Sequence, residues 1–275
     1  MSATSIADLP HALREGRQFA LRLAGRRPAV FLDYDGTLTP IVDRPEDAVI
    51  SDSMRQAVRE LALRCPVCVV SGRDRLVVQE LLGIDDLVIA GSHGFDISEP
   101  GTGTAGHQAA GDVEDLVAEV TDRLRGKVDA VPGVLVEPKR ASVAVHYRLA
   151  APVDRPLVDA AVDALLAAYP GQLKVTPGKM VYEIQPAVDW HKGKAVLYLL
   201  RVLGLDCAEV VPLYLGDDIT DEDAFHALAG RGIGVLVTGP VTGTGTRQDA
   251  DRPTEADFVL ESTGEVERFL NTLGH

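Results

Sequence analysis

The sequence predicts an α/β protein, a doubly wound parallel sheet with a second, α+β domain inserted into it. Three observations carry this. Short apolar runs recur, of the kind buried on both faces of a parallel sheet. They alternate with segments of helical periodicity. The middle of the chain then breaks the alternation with paired strands of period two. In order, residues 7–24 read as a helix and "AVFLD" (29–33) as the first strand. A helix at 52–63, a strand in "VCVVSG" (67–72), a helix at 74–82 and a strand in "LVIAG" (87–91) follow. Between 111 and 185 the order changes to helix 112–125, strands 134–139 and 141–148, helix 153–168, and strands 172–175 and 179–185. This pattern describes an antiparallel sheet with helices on one face and the other face open. Helix 192–203, the strand of "VPLYLGDD" (211–218), helix 221–229 and "IGVLV" (233–237) resume the first pattern. The expected division is a core of 1–106 and 186–275 and a cap of 107–185. The stretches "GTGTAGHQAAG" (101–111) and "QPAVDW" (185–190) at the joints have linker-like composition.

Composition narrows the function. The chain has 275 residues, 46% hydrophobic and 25% charged, with a formal net charge of -14. Such a charge argues against a nucleic-acid or anionic-membrane partner, and an anionic substrate would need local cations to capture it. No apolar run is long enough for a membrane span and no signal-peptide core precedes residue 28, so a cytoplasmic location is expected. Cys65, Cys68 and Cys207 are an odd number with too few neighbouring ligands for a metal site, and they read as free thiols. The Gly/Thr-rich segments at 101–106 and 238–254 lack the strand-loop-helix context and the lysine of a phosphate-binding loop, and they read as loops.

Chemistry gathers at the strand ends, where ligands of doubly wound sheets bind. In "VFLDYDGTLTP" strand alternation points Asp33 and Asp35 the same way and Tyr34 the other. Two adjacent carboxylates repel unless a proton or cation lies between them, and Gly36-Thr37 lets the chain turn away. "SGR" offers the Ser71 hydroxyl and a helix N-terminus to an anion. "GDDITDED" supplies Asp217, Asp218 and Asp221 directly after an apolar strand, whereas Glu222 and Asp223 suit a helix start. Lys192 opens a helix in "DWHKGKA", where the dipole disfavours a cation; Lys194 reads as a surface residue.

Taken together, "DYDGT", "SGR", "KG" and "GDD", with an insertion between the second and third, resemble the four motifs of haloacid-dehalogenase-like phosphohydrolases. With "AGSHGFD", "VEPKRASVAVHYR", "GKMVYEIQP", "HKGKA" and "LGDDITDEDAF", the chain more narrowly resembles the trehalose-6-phosphate phosphatases. The resemblance implies a Mg²⁺-dependent phosphatase acting on a small-molecule sugar phosphate. In it Asp33 is the nucleophile and Asp35 the acid/base. Asp33, the Asp35 backbone carbonyl and Asp217 would bind the metal. Asp218 and Asp221 would hold metal waters or Lys192, while Ser71 and Lys192 would take the phosphoryl oxygens.

In the cap, alternation places Met180, Tyr182 and Ile184, with Val143, Val145 and Tyr147, on the helix-packed side. Lys179, Val181 and Glu183, with His146 and Arg148, are left on the open side, and Leu135, Glu137 and Lys139 share one face of their own strand. Periodicity alone fits either a solvated sheet or a sugar site, since carboxylates accept and ammonium groups donate. The resemblance implies that Glu137, Lys139, Lys179 and Glu183 grip the distal glucose, with Arg148 and His146 as further candidates and His93 near the hinge. Three rival readings follow from the same motifs: the same chemistry on another sugar phosphate, a phosphoryl-accepting receiver, and an idle sugar-binding homologue.

Overall fold

The computed structural model describes residues 4–42, 44–98, 105–108, 111–178, 180–239 and 252–273. The chain divides into two units, Met1–Thr104 with His191–His275, and Ala105–Trp190. The first unit begins with β1 (Thr4–Ser5), α1 (Gly16–Leu23), β2 (Arg27–Leu32), α2 (Asp52–Ala62), β3 (Val67–Val70), α3 (Arg75–Leu82), β4 (Val88–Gly91) and β5 (Asp96–Ser98). The second holds β6 (Ala105–Gln108), α4 (Gly111–Val128), β7 (Leu135–Pro138), β8 (Val143–His146), α5 (Arg155–Ala168), β9 (Leu173–Gly178) and β10 (Val181–Pro186). The first resumes with α6 (Lys192–Val202), β11 (Val210–Gly216), α7 (Glu222–Leu228), β12 (Ile233–Val237), β13 (Pro253–Thr254), β14 (Phe258–Leu260) and α8 (Thr263–Thr272).

The core strands run in the order β14-β12-β11-β2-β3-β4-β5. Every pairing from β14 to β4 is parallel, and β5 returns antiparallel to β4. Val30, Leu32, Val67, Val69, Leu213 and Leu215 line one face, in a cluster with Phe19, Met54, Val58, Leu61, Phe269 and Leu270 from α1, α2 and α8. Helices α6 and α7 pack together on the other face, with Ala195, Val196, Leu199, Ala224, Phe225 and Leu228 buried. Burying each such side chain contributes about 1.5–3 kcal/mol. Among the described residues no helix is long and apolar enough to cross a membrane. Cys65 and Cys68 are buried free thiols, and burial pushes them up to about 11 and about 12; Cys207 is free and exposed.

The N-terminus departs from the helix expected at 7–24. Only Gly16–Leu23 is α-helical, and Ile6–Asp8 makes a single 3₁₀ turn. Pro10 cannot donate to a helix and clashes with its preceding turn. Its carbonyl instead accepts from the Val259 amide at 3.0 Å, and the Ala12 amide donates to Val259 at 3.0 Å. The segment thus pairs with edge strand β14 and satisfies groups that would otherwise be open to another chain.

The inserted unit has an antiparallel sheet of order β7-β8-β10-β9. Its register sets Glu137, Ala144 and Glu183 in one cross-strand row and Leu135, His146 and Val181 in the next, both on one face. Val136, Val145 and Tyr182, with Pro138, Val143 and Ile184, take the other face. That second face meets the helices, since the Tyr182 hydroxyl donates to Asp159 of α5 at 2.8 Å.

Candidate active site

The site begins where β2 stops. The Asp33 amide donates to the Leu215 carbonyl at 2.9 Å, which keeps the chain in sheet register for one further residue. Tyr34 then faces the opposite side, fully buried, with its hydroxyl on the Ala48 carbonyl at 2.8 Å. Asp33 is 4% exposed, and its Oδ1 accepts from Lys192 Nζ at 2.8 Å. At Gly36 the backbone takes φ +80°, and a Cβ there would lie 2.0 Å from Asp217 Oδ2. Only glycine leaves the turn free and the carboxylate in place.

Strand β11 ends at Gly216, where a Cβ would sit 2.3 Å from Asp221 Cγ. The Asp221 carboxylate folds back over that space. Its Oδ2 accepts from the amides of Asp217 and Asp218, both at 3.0 Å. Its Oδ1 accepts from Lys192 Nζ at 2.7 Å and from the Tyr214 hydroxyl at 2.6 Å. Gly193, whose Cβ would fall 2.1 Å from the Asp223 carbonyl, lets α6 bring Lys192 this close. Asp218 stands apart: it is exposed and caps the short turn Ile219–Asp221, accepting from the Ile219 amide at 2.6 Å.

The buried cluster is short of positive charge. Burial, opposed by Lys192, pushes Asp33 up to about 8, and burial together with neighbouring Asp33 pushes Asp217 up to about 9. Burial works against the Lys192 charge, but Asp221 and Asp33 outweigh it and raise the ammonium above its ordinary value. Asp33, Asp217 and Asp221 can each bring a carboxylate oxygen within 4.8 Å of the others. One ammonium among three carboxylates suits a hard divalent cation that prefers oxygen ligands. Among the described residues one other group, His11, Glu261 and Glu265, has comparable spacing. There Glu265 is held by His11, Arg268 and the Glu261 amide, and Glu261 by Arg14, so its charges are already matched.

Asp35, in the turn after β2, and Ser71, just after β3, stand beside this cluster and are linked through Arg73. Ser71 is fully buried; its Oγ accepts from the Arg73 amide at 3.1 Å, and its carbonyl accepts from the His93 amide at 2.9 Å. Ser92 and His93 hold left-handed φ of 50° and 57°, and the His93 ring fills the space beside Gly72. Asp35, half-buried, is gripped by Arg73: Nε donates to Oδ2 and Nη2 to Oδ1, each at 2.6 Å. Arg73 also donates to the Pro45 carbonyl at 2.8 Å.

Arg73 and Tyr214 are absent from the residues chosen by sequence. Each carried a signal. Arg73, like Lys192, is a cation at the start of a helix, and Tyr214 is a hydroxyl inside an otherwise apolar strand, where it must find a partner.

In the inserted unit the open face holds a second, separate cluster. Lys139 Nζ donates to Glu183 Oε1 and Oε2 at 3.2 and 3.1 Å, and buried Ser142, which sequence reasoning also missed, donates to Glu183 Oε1. Glu137 pairs with His146 Nε2 at 2.8 Å. Arg148 lies exposed beyond the end of β8, so strand alternation does not govern it. Lys179 and the 240–251 part of the Gly/Thr-rich loop lie outside the described residues.

With this geometry in hand, the chain can be set beside known proteins. The sequence model of the trehalose-phosphatase family matches residues 31–263. A Mycobacterium tuberculosis protein described as an uncharacterized glycosyl hydrolase is 41% identical over 279 residues, covering 98% of this chain and 20% of that protein. A probable trehalose-phosphate phosphatase of Oryza sativa subsp. japonica is 40% identical over 266 residues, covering 95% of this chain and 70% of the relative. This chain therefore spans about a fifth of the mycobacterial relative and about two thirds of the rice one. Among solved structures, the C-terminal domain of a Candida albicans trehalose-6-phosphate phosphatase superposes with a TM-score of 0.75 at 24% identity, covering 100% of this chain and 99% of that one. At that identity the likeness speaks for the fold.

Proposed function

Because this chain belongs to the trehalose-phosphatase family, we propose that it is a Mg²⁺-dependent phosphatase that converts trehalose 6-phosphate to trehalose and phosphate. The observation that carries the reading is the buried Asp33–Lys192 pair, 2.8 Å apart at the carboxyl end of β2. A carboxylate beside an ammonium at that position can attack an anionic phosphorus once the repelling charge is matched.

In the proposed reaction an Asp33 carboxylate oxygen bonds to phosphorus as the phosphorus–sugar oxygen bond breaks. Asp35, protonated, gives its proton to the departing sugar oxygen. Water then attacks the aspartyl-phosphate, Asp35 takes its proton, and Asp33 is regenerated with release of phosphate. Asp35 cannot serve as an acid while paired with Arg73, so that pair opens during turnover. Ser71 and Lys192 hold phosphoryl oxygens, and Asp218 supports the loop that carries Asp217. Mg²⁺, when bound by the Asp33 and Asp217 carboxylates and the Asp35 backbone carbonyl, would neutralise phosphoryl charge. For the inserted unit the proposed role is sugar recognition: Glu137 and Glu183 accept from sugar hydroxyls, and Lys139, Arg148 and Lys179 donate.

The test is phosphate release across a panel of disaccharide and monosaccharide phosphates, with and without chelator. Chelator-sensitive release from trehalose 6-phosphate above the rest is expected. Preference for another sugar phosphate would move the substrate, and a stable phosphoprotein without turnover would replace the enzyme with a phosphoryl receiver.

A further inference from the structure

Strand β11 is buried along its whole length, and in "VVPLYLG" the one side chain with a polar atom is Tyr214. Its ring is fully buried and meets Phe225 edge-on at 5.8 Å. Phenylalanine would fill that space equally well, and a buried hydroxyl costs free energy unless it is bonded. The reason for the hydroxyl therefore has to lie at its partner, Asp221 Oδ1, 2.6 Å away.

Asp221 is fully buried and uses its whole accepting capacity. An ionised carboxylate offers about four lone-pair sites. Lys192 Nζ and Tyr214 take Oδ1, and the amides of Asp217 and Asp218 take Oδ2. No site is left over for a cation, although Asp221 lies close enough to Asp33 and Asp217 to share one. Its carboxylate acts as an anchor, joining the helix that carries Lys192 to the turn that carries Asp217.

We propose that Tyr214 is a positioning residue for phosphoryl transfer: its hydroxyl fixes the rotation of the Asp221 carboxylate, and through it the Lys192 ammonium and the Asp217–Asp218 turn. Without the hydroxyl, Oδ1 keeps Lys192 as its one donor, and the carboxylate is free to turn and draw the ammonium away from Asp33. The groups displaced are those aimed at charge that develops in the transition state, so the loss falls on kcat and not on KM.

This inference rests on the phosphatase reading, and its test separates the two. Steady-state kinetics with an aryl phosphate and with trehalose 6-phosphate are measured for the wild type, Y214F, D221N and Y214F/D221N, together with melting temperatures. Y214F is expected to lose roughly tenfold in kcat on both substrates, with KM within about twofold. In the D221N background the same substitution should cost less than about twofold, because the carboxylate it acts through has already been altered. A Y214F chain with wild-type kcat, whatever its melting temperature, overturns the proposal, as does a full additive loss in D221N. A wild type inactive on every phosphomonoester overturns the phosphatase reading itself. Should Y214F not fold, 3-fluorotyrosine installed at position 214 keeps the ring and strengthens the donor. An altered kcat at constant KM then supports the proposal, and an unchanged kcat overturns it.

Discussion

The core and the inserted unit each gather acids and bases, yet they do so under opposite constraints. In the core, Asp33, Asp221 and Lys192 are at most 4% exposed, three carboxylates face one ammonium, and glycines at 36, 193 and 216 clear the space. In the inserted unit, Lys139 bonds Glu183 and His146 bonds Glu137, and all four keep some contact with solvent. A buried, unbalanced cluster is costly until a cation and a substrate complete it. A balanced, partly solvated pair costs little to open, and its members can exchange each other for hydroxyl groups. Under the proposed function, the difference teaches where chemistry and recognition are separable. Damage to the core should affect every phosphomonoester, and damage to the inserted unit only those that carry a distal sugar.

The largest expected effect comes from Asp33→Asn, which removes the proposed nucleophile while nearly preserving shape. Turnover should fall more than about 10³-fold on aryl and sugar phosphates alike. A loss confined to the sugar phosphate would erase the distinction between the two regions.

Next in size is the response to metal and pH. Asp33 at about 8 and Asp217 at about 9 both lie above the value of about 4 for an unfolded carboxylate. In metal-free protein their contribution to stability is fully present below about pH 4 and is lost as pH rises through 8 and 9. Through these two groups the melting temperature of chelated protein should therefore decline from about pH 4 to about pH 9 and level off above that, and Mg²⁺ should restore it. Mg²⁺ must also displace these protons, so its affinity should rise with pH between about 6 and 8, up to about tenfold per pH unit for each proton displaced. Calorimetry in buffers of different ionisation enthalpy counts the protons released, and a count of zero would mean the carboxylates were already ionised.

A smaller effect is expected of Glu183→Ala. It should cost trehalose 6-phosphate about tenfold in kcat/KM and leave an aryl phosphate nearly unchanged. Equal losses would assign Glu183 to the sheet's architecture. Smallest is Ser142→Ala, which removes one of the donors to Glu183 and should cost about two- to threefold on the disaccharide only, the low end of what one hydrogen bond contributes. A melting point lowered without that kinetic change would make Ser142 purely structural.

Much of this was legible in the sequence, for physical reasons. Strand periodicity placed Asp33 beside Asp35 and apart from Tyr34, and the cost of a cation at a helix start singled out Lys192. The same periodicity failed for Arg148, since β8 ends two residues earlier. The helix read over 7–24 failed at Pro10, because apolar periodicity does not register a missing amide. Tyr214 and Ser142 were passed over as strand interior, yet both are hydroxyls whose partners, Asp221 and Glu183, come from distant segments.

The Asp33–Lys192 bond spans 159 residues of chain, including the whole inserted unit. Closing a loop becomes harder only with the logarithm of its length, so even doubling the whole loop would cost about 0.6 kcal/mol. The two bonded groups are therefore nearly indifferent to the size of what lies between them, and the core could carry inserts of other lengths without rebuilding its centre. Timing is affected more than stability. β2 pairs with β11, Arg27 opposite Val210, so during synthesis the emerging N-terminal half must wait, with a central strand edge bare, until the insert has been made.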